Sequence, residues 1–381
     1  NNPFLATAYD FPNYFDQRAR SWILKFDLTS RRWTGHRLKT GFLVQYNDMR
    51  NVQMTSPGLT RPLVDDLTGR SLGVAQGRSA NDFHNFAPRT AFYCQDRWEH
   101  RGMVVNAGLR YDLFSPGNGV EVLLRAEGVD PSIERFKQVM SPRLGLAFPI
   151  TDRDVFHFHY GRSFQAPGND RLFQTQDPNS GEAFLGNPDL DPEITVSYQA
   201  GVRHQFSRHI AGDFAIFYKD IYDLITSTTA VDTVSGNSFS RYINRAYASA
   251  RGLEVTLDRR FADGYGGQIA YTLSYADGVA SDAEFGAQGA AGLTHLPTGE
   301  LPLRWDQRHV LSLRLRLMDA GNWGGSFIYA LGSGLPWTPA LRNQRRADPR
   351  LENSRRHPAS HSLSMQAEKY FDLWGRSLTL F

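Results

Sequence analysis

His157 and His159 stand two residues apart in the run DVFHFHYGRSF, and in an extended chain alternate residues share one face. Two imidazoles at that spacing are near enough to share a metal ion or a polar ligand, but no third ligand follows at fixed spacing. A histidine on a wet strand face is more often one more hydrated polar group. The loop GNPDLDPE gathers Asp189, Asp191 and Glu193, hard oxygen ligands of the kind that hold calcium. It lacks a glycine-turned loop closed by a bidentate glutamate, and its two prolines and asparagine make it an ordinary turn into the next strand. Arg342, Arg345, Arg346, Arg350, Arg355 and Arg356 crowd the stretch between Pro339 and Ser360. Guanidinium groups suit phosphate and carboxylate, so this loop is a candidate contact for lipopolysaccharide phosphates or for an anionic solute. Asp348 and Glu352 dilute the cluster toward an ordinary solvated loop.

Bond chemistry finds little support. There is no GxSxG elbow, no HExxH and no Walker loop, and the GxG of Gly332 to Gly334 leads to proline rather than to a helix. The expectation is a non-enzyme with no catalytic residue, cofactor or resident metal, although a Ser and His pair far apart in sequence would leave no local motif. The single cysteine, Cys94, excludes an internal disulfide and any cysteine-built metal site. An unpaired thiol in a strand is most often simply packed.

Composition narrows the class further. The 42 basic and 39 acidic residues leave a net charge of +3, without the one-sided basic character of a nucleic-acid binder. No run of eighteen apolar residues exists, which rules out a helical span. A transmembrane barrel stays open, because its apolar residues are interleaved with polar ones. The 13% aromatic share suits the girdles of such a barrel. Trp33, Trp98, Trp305, Trp323, Trp337 and Trp374 fall near expected strand ends, at the level of lipid headgroups.

The elements that must carry these residues are strands. Leu144, Leu146, Phe148 and Ile150 alternate with Arg143, Gly145 and Ala147; Phe156, Phe158 and Tyr160 alternate with His157 and His159. The polar tetrad Thr151 to Asp154 hinges the two runs. The same alternation recurs from Trp22–Leu28 to Leu311–Leu317, with Thr272 and Arg314 on the polar side. Periodicity alone does not separate a sandwich from a barrel, but connection lengths do. Short links at 31–36, 99–102, 151–154, 207–210, 262–264 and 318–322 alternate with long ones near 50–82, 115–138, 166–192, 226–239, 278–304 and 338–358. Tight turns on one side of a membrane and long loops on the other are the mark of a transmembrane, antiparallel, up-and-down β-barrel of all-β class. About thirteen or fourteen strands are expected, with the apolar face in lipid and the polar face lining a lumen.

Several phrases then add a resemblance. AFYCQDRWEHRGMVVNAGLRYDLFSP, SPRLGLAFPITDRDVFHFHYGRSFQAP, NPDLDPEITVSYQAGV, INRAYASARGLEVTL, WDQRHVLSLRL and GSGLPWTP resemble, in the family's order, the barrel of TonB-dependent outer-membrane receptors. The likeness runs from about Asn85 to Phe381 and is strongest to the Oar-like branch, whose members carry a carboxypeptidase-regulatory-like domain. The resemblance implies a barrel of 22 strands filled by an N-terminal plug and energised through TonB, in the outer membrane of a diderm bacterium. No plug or TonB box is recognisable, and the strands are too few to close such a barrel. Residues 1–381 are therefore expected to be its barrel domain, truncated at both ends. The expected role is uptake of a scarce solute: an iron chelate, vitamin, oligosaccharide or peptide. The alternative is a structural or surface-assembly barrel whose loops bind a surface lipoprotein or another envelope protein. Outer-membrane lipid, lipopolysaccharide and TonB are the expected partners, and nucleic acid is not.

Overall fold

In the computed structural model the described residues are 13–55, 60–64, 71–76, 79–117, 136–173, 183–231, 238–279, 299–319, 321–339, 351–374 and 376–381. Fourteen strands among them follow one another across a single sheet in sequence order. They are β1 Asn13–Ser30, β2 His36–Thr55, β3 Ser79–His100, β4 Met103–Phe114 and β5 Lys137–Pro149. Next come β6 Asp154–Gln165, β7 Glu193–Gln205, β8 Ile210–Val231, β9 Ser238–Ala262 and β10 Tyr265–Gly278. The path ends with β11 His309–Asp319, β12 Trp323–Gly332, β13 Ser360–Leu373 and β14 Arg376–Leu380. Every neighbouring pair on this path is antiparallel, so each hairpin returns the chain to the same side.

The tight turns fall where short connections are expected. Arg101 and Gly102 have φ of 47° and 82°, and Asp263 and Gly264 have 54° and 84°. Two successive positive φ values define the hairpin turn whose twist matches that of the flanking strands, and glycine takes the second place without strain.

Register turns the alternation into two faces. One row runs Leu146, Phe158, Ala200, Ile216, Leu253 and Leu273 across β5 to β10. Leu313, Tyr329 and Leu363 continue the same face over β11 to β13. Much of this face is open: Ile216 is 55% exposed, Leu363 58% and, on β3, Phe92 56%, while Leu146, Phe158, Leu253 and Leu313 are half-buried by their neighbours. A continuous apolar surface of this extent has hydrocarbon as its natural solvent. Leu144, Phe156 and Leu315 belong to this face by register. The opposite face runs Gly145, His159, Gln199, Phe217, Gly252 and Ser274.

Three expectations change. Residues 50–55 and 79–82, expected within a long connection, are the paired ends of β2 and β3. Residues 226–231 and 238–239, expected as loop, are strand: β8 and β9 run on as 22- and 25-residue partners. The polar run Thr226 to Thr229 hides this, because Thr226 and Ser227 are buried at the loop end of the sheet. There Leu172, Leu190, Ile225 and Tyr242 pack as one cluster, and Ala183–Leu185 adds a short strand parallel to Phe239–Arg241. Cys94, expected to be packed, is exposed and opposite Thr40 and Leu109 on the apolar face.

Candidate functional site

The polar face of the strands and the bases of the long loops hold the residues singled out by sequence. Alternation places His157 and His159 of β6 on that face, and glycines decide how they lie. A Cβ at Gly201 would meet the His157 ring at 2.6 Å, and one at Gly161 would meet the His159 ring at 3.0 Å. The His157 imidazole therefore lies over the bare backbone of the neighbouring strand β7, and the His159 imidazole lies over the glycine two residues on in its own strand. His157 Nε2 is 3.2 Å from Asp213 Oδ2 on β8. The two rings do not converge on a common point with further ligands. Among the described residues no group of three His, Cys, Asp or Glu side chains is placed to hold a metal.

The carboxylates of GNPDLDPE are engaged with the protein. Lys137 Nζ, at the loop end of β5, lies 3.0 Å from Asp189 Oδ1 and 2.9 Å from Asp191 Oδ1, and its side chain is only 6% exposed. Glu193 Oε1 accepts the backbone N–H of Ile225 at 3.0 Å, where the β8–β9 ladder shifts register. Asn187 donates to the carbonyl of Tyr242 and accepts from Arg241. Asn244 accepts from the Asp191 N–H and donates to the carbonyls of Asp191 and Asp223. The acidic loop thus ties β5, β7, β8 and β9 together, which is what a buried lysine between two carboxylates achieves when all three are hydrogen-bonded.

Of the arginine cluster, Arg342, Arg345, Arg346 and Arg350 lie outside the described residues. Arg356 donates to the carbonyls of Asp306 at 2.8 Å and Gly334 at 3.2 Å, and pairs with the Asp306 carboxylate. Asp306 is 1% exposed and also accepts the Ala276 N–H at 2.9 Å. Arg355 is exposed on a two-residue strand that pairs with Pro336–Trp337. The phrases WDQRH and GSGLPWTP meet in this knot, so Arg356 serves as a clamp and Arg355 faces outward.

One site had no local signal in the sequence. Asp112 of β4 is fully buried, with Arg89 Nη2 at 2.9 Å and Arg110 Nε at 2.7 Å. Arg89 also lies 5.2 Å from the Phe164 ring. Alternation puts Arg110 and Asp112 on one face, but Arg89 comes from a different strand.

At the opposite end, the turn between β5 and β6 is fixed by Thr151. Its Oγ1 donates to the Asp154 carboxylate and accepts the N–H of Arg153 at 3.1 Å and of Asp154 at 3.0 Å. The Thr151 hydrogen bond, followed by that of His204 Nδ1 at 2.6 Å, holds the Asp154 carboxyl below its ordinary range.

A family model described as TonB dependent receptor-like, beta-barrel, matches residues 1–380. The outer membrane transporter YddB from Escherichia coli superposes with a TM-score of 0.65 at 12% identity, over 94% of this chain and 48% of that one. The copper transporter OprC gives 0.59 at 13% identity, over 94% and 49%. The FrpB iron transporter from Neisseria meningitidis (F3-3 variant) gives 0.59 at 12%, over 93% and 48%. The chain spans about half the length of these solved chains. Among curated proteins none matches. At these identities the structural likeness is one of fold.

Proposed function

The chain belongs to the TonB-dependent receptor family, and from that premise we propose that it forms part of the wall of an energised outer-membrane receptor that takes up a scarce solute. The observation that carries this reading is the two-faced sheet: an exposed apolar face continuous over fourteen strands, backed by a polar face of histidines, amides and paired charges. A structural wall needs only the first face. A hydrated path for a polar solute needs the second as well.

In this reading the tight turns lie in the periplasm and the long connections outside the cell, where they capture the solute. The chain is the barrel domain, and further strands complete a barrel of about 22 around a plug that TonB moves. Iron chelate, vitamin, oligosaccharide and peptide are the candidate solutes. The family is one of receptors and transporters, and in this reading the barrel binds and passes its solute without bond chemistry. Clamped loop bases support capture, because binding loops work best on a rigid scaffold. Outer-membrane lipid and lipopolysaccharide surround the wall, and TonB acts through a region outside this sequence.

Deleting TonB from cells that express the full-length receptor should abolish solute uptake and leave cell-surface binding intact. Uptake that continues without TonB and without a proton gradient overturns the proposal. Surface binding with no uptake in either strain favours the assembly role instead.

A further inference from the structure

The polar face divides its charges unevenly. Asp213 is held by His157, Glu254 accepts from Gln199, Asp258 accepts from Gln268, and Asp112 is shared by two arginines. Among the described residues, Arg314 and Arg316 of β11 have neither an ion pair nor a side-chain hydrogen bond. Alternation puts both on the polar face, about 6.6 Å apart along the strand. Gln268 lies opposite Arg314 on β10, and Gly266 and Ser326 lie on either side of Arg316.

The surroundings leave room beside these two cations. A Cβ at Gly266 would fall 2.7 Å from the Cα of Phe261, so the bulged end of β9 is seated directly on that glycine. The Phe261 ring lies 5.7 Å from the Arg316 guanidinium carbon. Small side chains at Gly266 and Ser326 leave an open notch of about 460 Å³ with Arg314, Arg316, Gln268 and Phe261 around it. Of the carboxylates nearby on this face, Asp258 is taken by Gln268 and Glu368 of β13 lies over Gly324 in the row beside Arg316; neither makes an ion pair with Arg314 or Arg316.

Two guanidiniums stay charged at every physiological pH and repel each other at this separation. Stacking on Phe261 takes one face of Arg316 and leaves its N–H edge for an acceptor. We propose that the notch is a binding site for an oxyanion bearing two or more carboxylate or phosphate groups, close to the tight-turn end of the wall. The anion is either a free solute or the acidic side chains of a peptide segment lying on the polar face.

The test uses the full-length receptor purified in detergent, so it reads the site without energised uptake and is independent of the receptor proposal. Citrate and a hexaglutamate peptide are titrated by calorimetry. Citrate binding identifies a free-solute site, and binding of hexaglutamate alone identifies a peptide site; both support the notch. The R314Q/R316Q double variant should bind at least about tenfold more weakly, since it loses two charge-assisted contacts. R143Q, which removes a cation from the same face six strands away, should bind as the parent does. Phenylglyoxal modification of Arg314 and Arg316 in the parent protein, slowed by the bound anion, gives the same readout if the double variant does not fold. Absence of binding by both probes, no protection of the two arginines, or equal weakening by R143Q overturns the proposal.

Discussion

The Lys137 ammonium sits 2.9 Å from the Asp191 carboxylate, joining the loop end of β5 to the segment that feeds β7. The pair is asymmetric: Lys137 is almost wholly buried, whereas Asp191 is more than half exposed. Its strength therefore lies in keeping a buried ammonium satisfied by two carboxylates.

Lys137→Met should keep the stem packed and release the loop. Asp189 and Asp191 would be left as neighbouring like charges, and the 187–193 segment should become the first site cut by protease in detergent. A loss of about 1–3 kcal/mol is expected, discounted for the exposure of both acids. Protease resistance equal to that of the parent would show that the clamp is dispensable.

The two faces make a second prediction. Leu144→Arg, Phe158→Arg and Leu313→Arg should each cost about 2–4 kcal/mol if they lie near the bilayer midplane, while Thr272→Lys on the polar face should be mild. Urea unfolding in lipid vesicles measures both sets. Ready labelling of cysteines at the first three positions by a membrane-impermeant reagent in intact outer membranes would remove the lipid assignment.

What the sequence discloses follows from the range of each interaction. Face alternation and hairpin turns repeat within ten residues, so Leu144, Phe156 and Leu313 were legible on the apolar face and Asp263-Gly264 as a turn. The clamps join residues far apart: Lys137 to Asp189 across 52 positions, and Arg356 to Asp306 across 50. Nothing local marks such partners. GNPDLDPE was legible as a recurrent element at a strand entrance, but its carboxylates look the same in sequence whether they await a cation or already hold Lys137. Thr226 and Ser227 misled because their burial comes from tertiary cover rather than from periodicity. The notch at Arg314 and Arg316 depends on Gly266 and Ser326 standing on either side of Arg316, and that is set by register.

Acid should act on the β5–β6 turn. Hydrogen bonds from Thr151 and then His204 hold the Asp154 pKa below its ordinary value near 3.8, so the folded turn prefers the carboxylate. The sign follows from linkage. This contribution is fully present above pH 3.8 and is lost as pH falls through the lowered folded value. Asp154→Asn should remove that acid-dependent part of hairpin stability and leave the rest of the profile unchanged. Amide exchange of residues 150–156 as a function of pH is the measurement, and identical acid sensitivity in parent and variant would refute it.

The flat lie of the histidines rests on glycine, and the two glycines beneath this patch make opposite predictions. At Gly201 a Cβ would meet the His157 ring and also the Phe214 carbonyl oxygen, both at 2.6 Å. The ring can rotate away, but the carbonyl belongs to the β7–β8 ladder and cannot. Gly201→Val should therefore cost about 1–3 kcal/mol by overpacking and break the His157–Asp213 contact. Adding His157→Ala should recover only part of that loss, because it removes the ring and leaves the carbonyl. Gly145 is the control on the same face. A Cβ there meets its nearest neighbour, Asn106 Cβ, at an ordinary 3.7 Å, so Gly145→Ala should be neutral or slightly stabilising. Full recovery in the Gly201→Val, His157→Ala double variant would mean that the ring alone sets the need for glycine, and that the strand spacing at Phe214 is free to adjust.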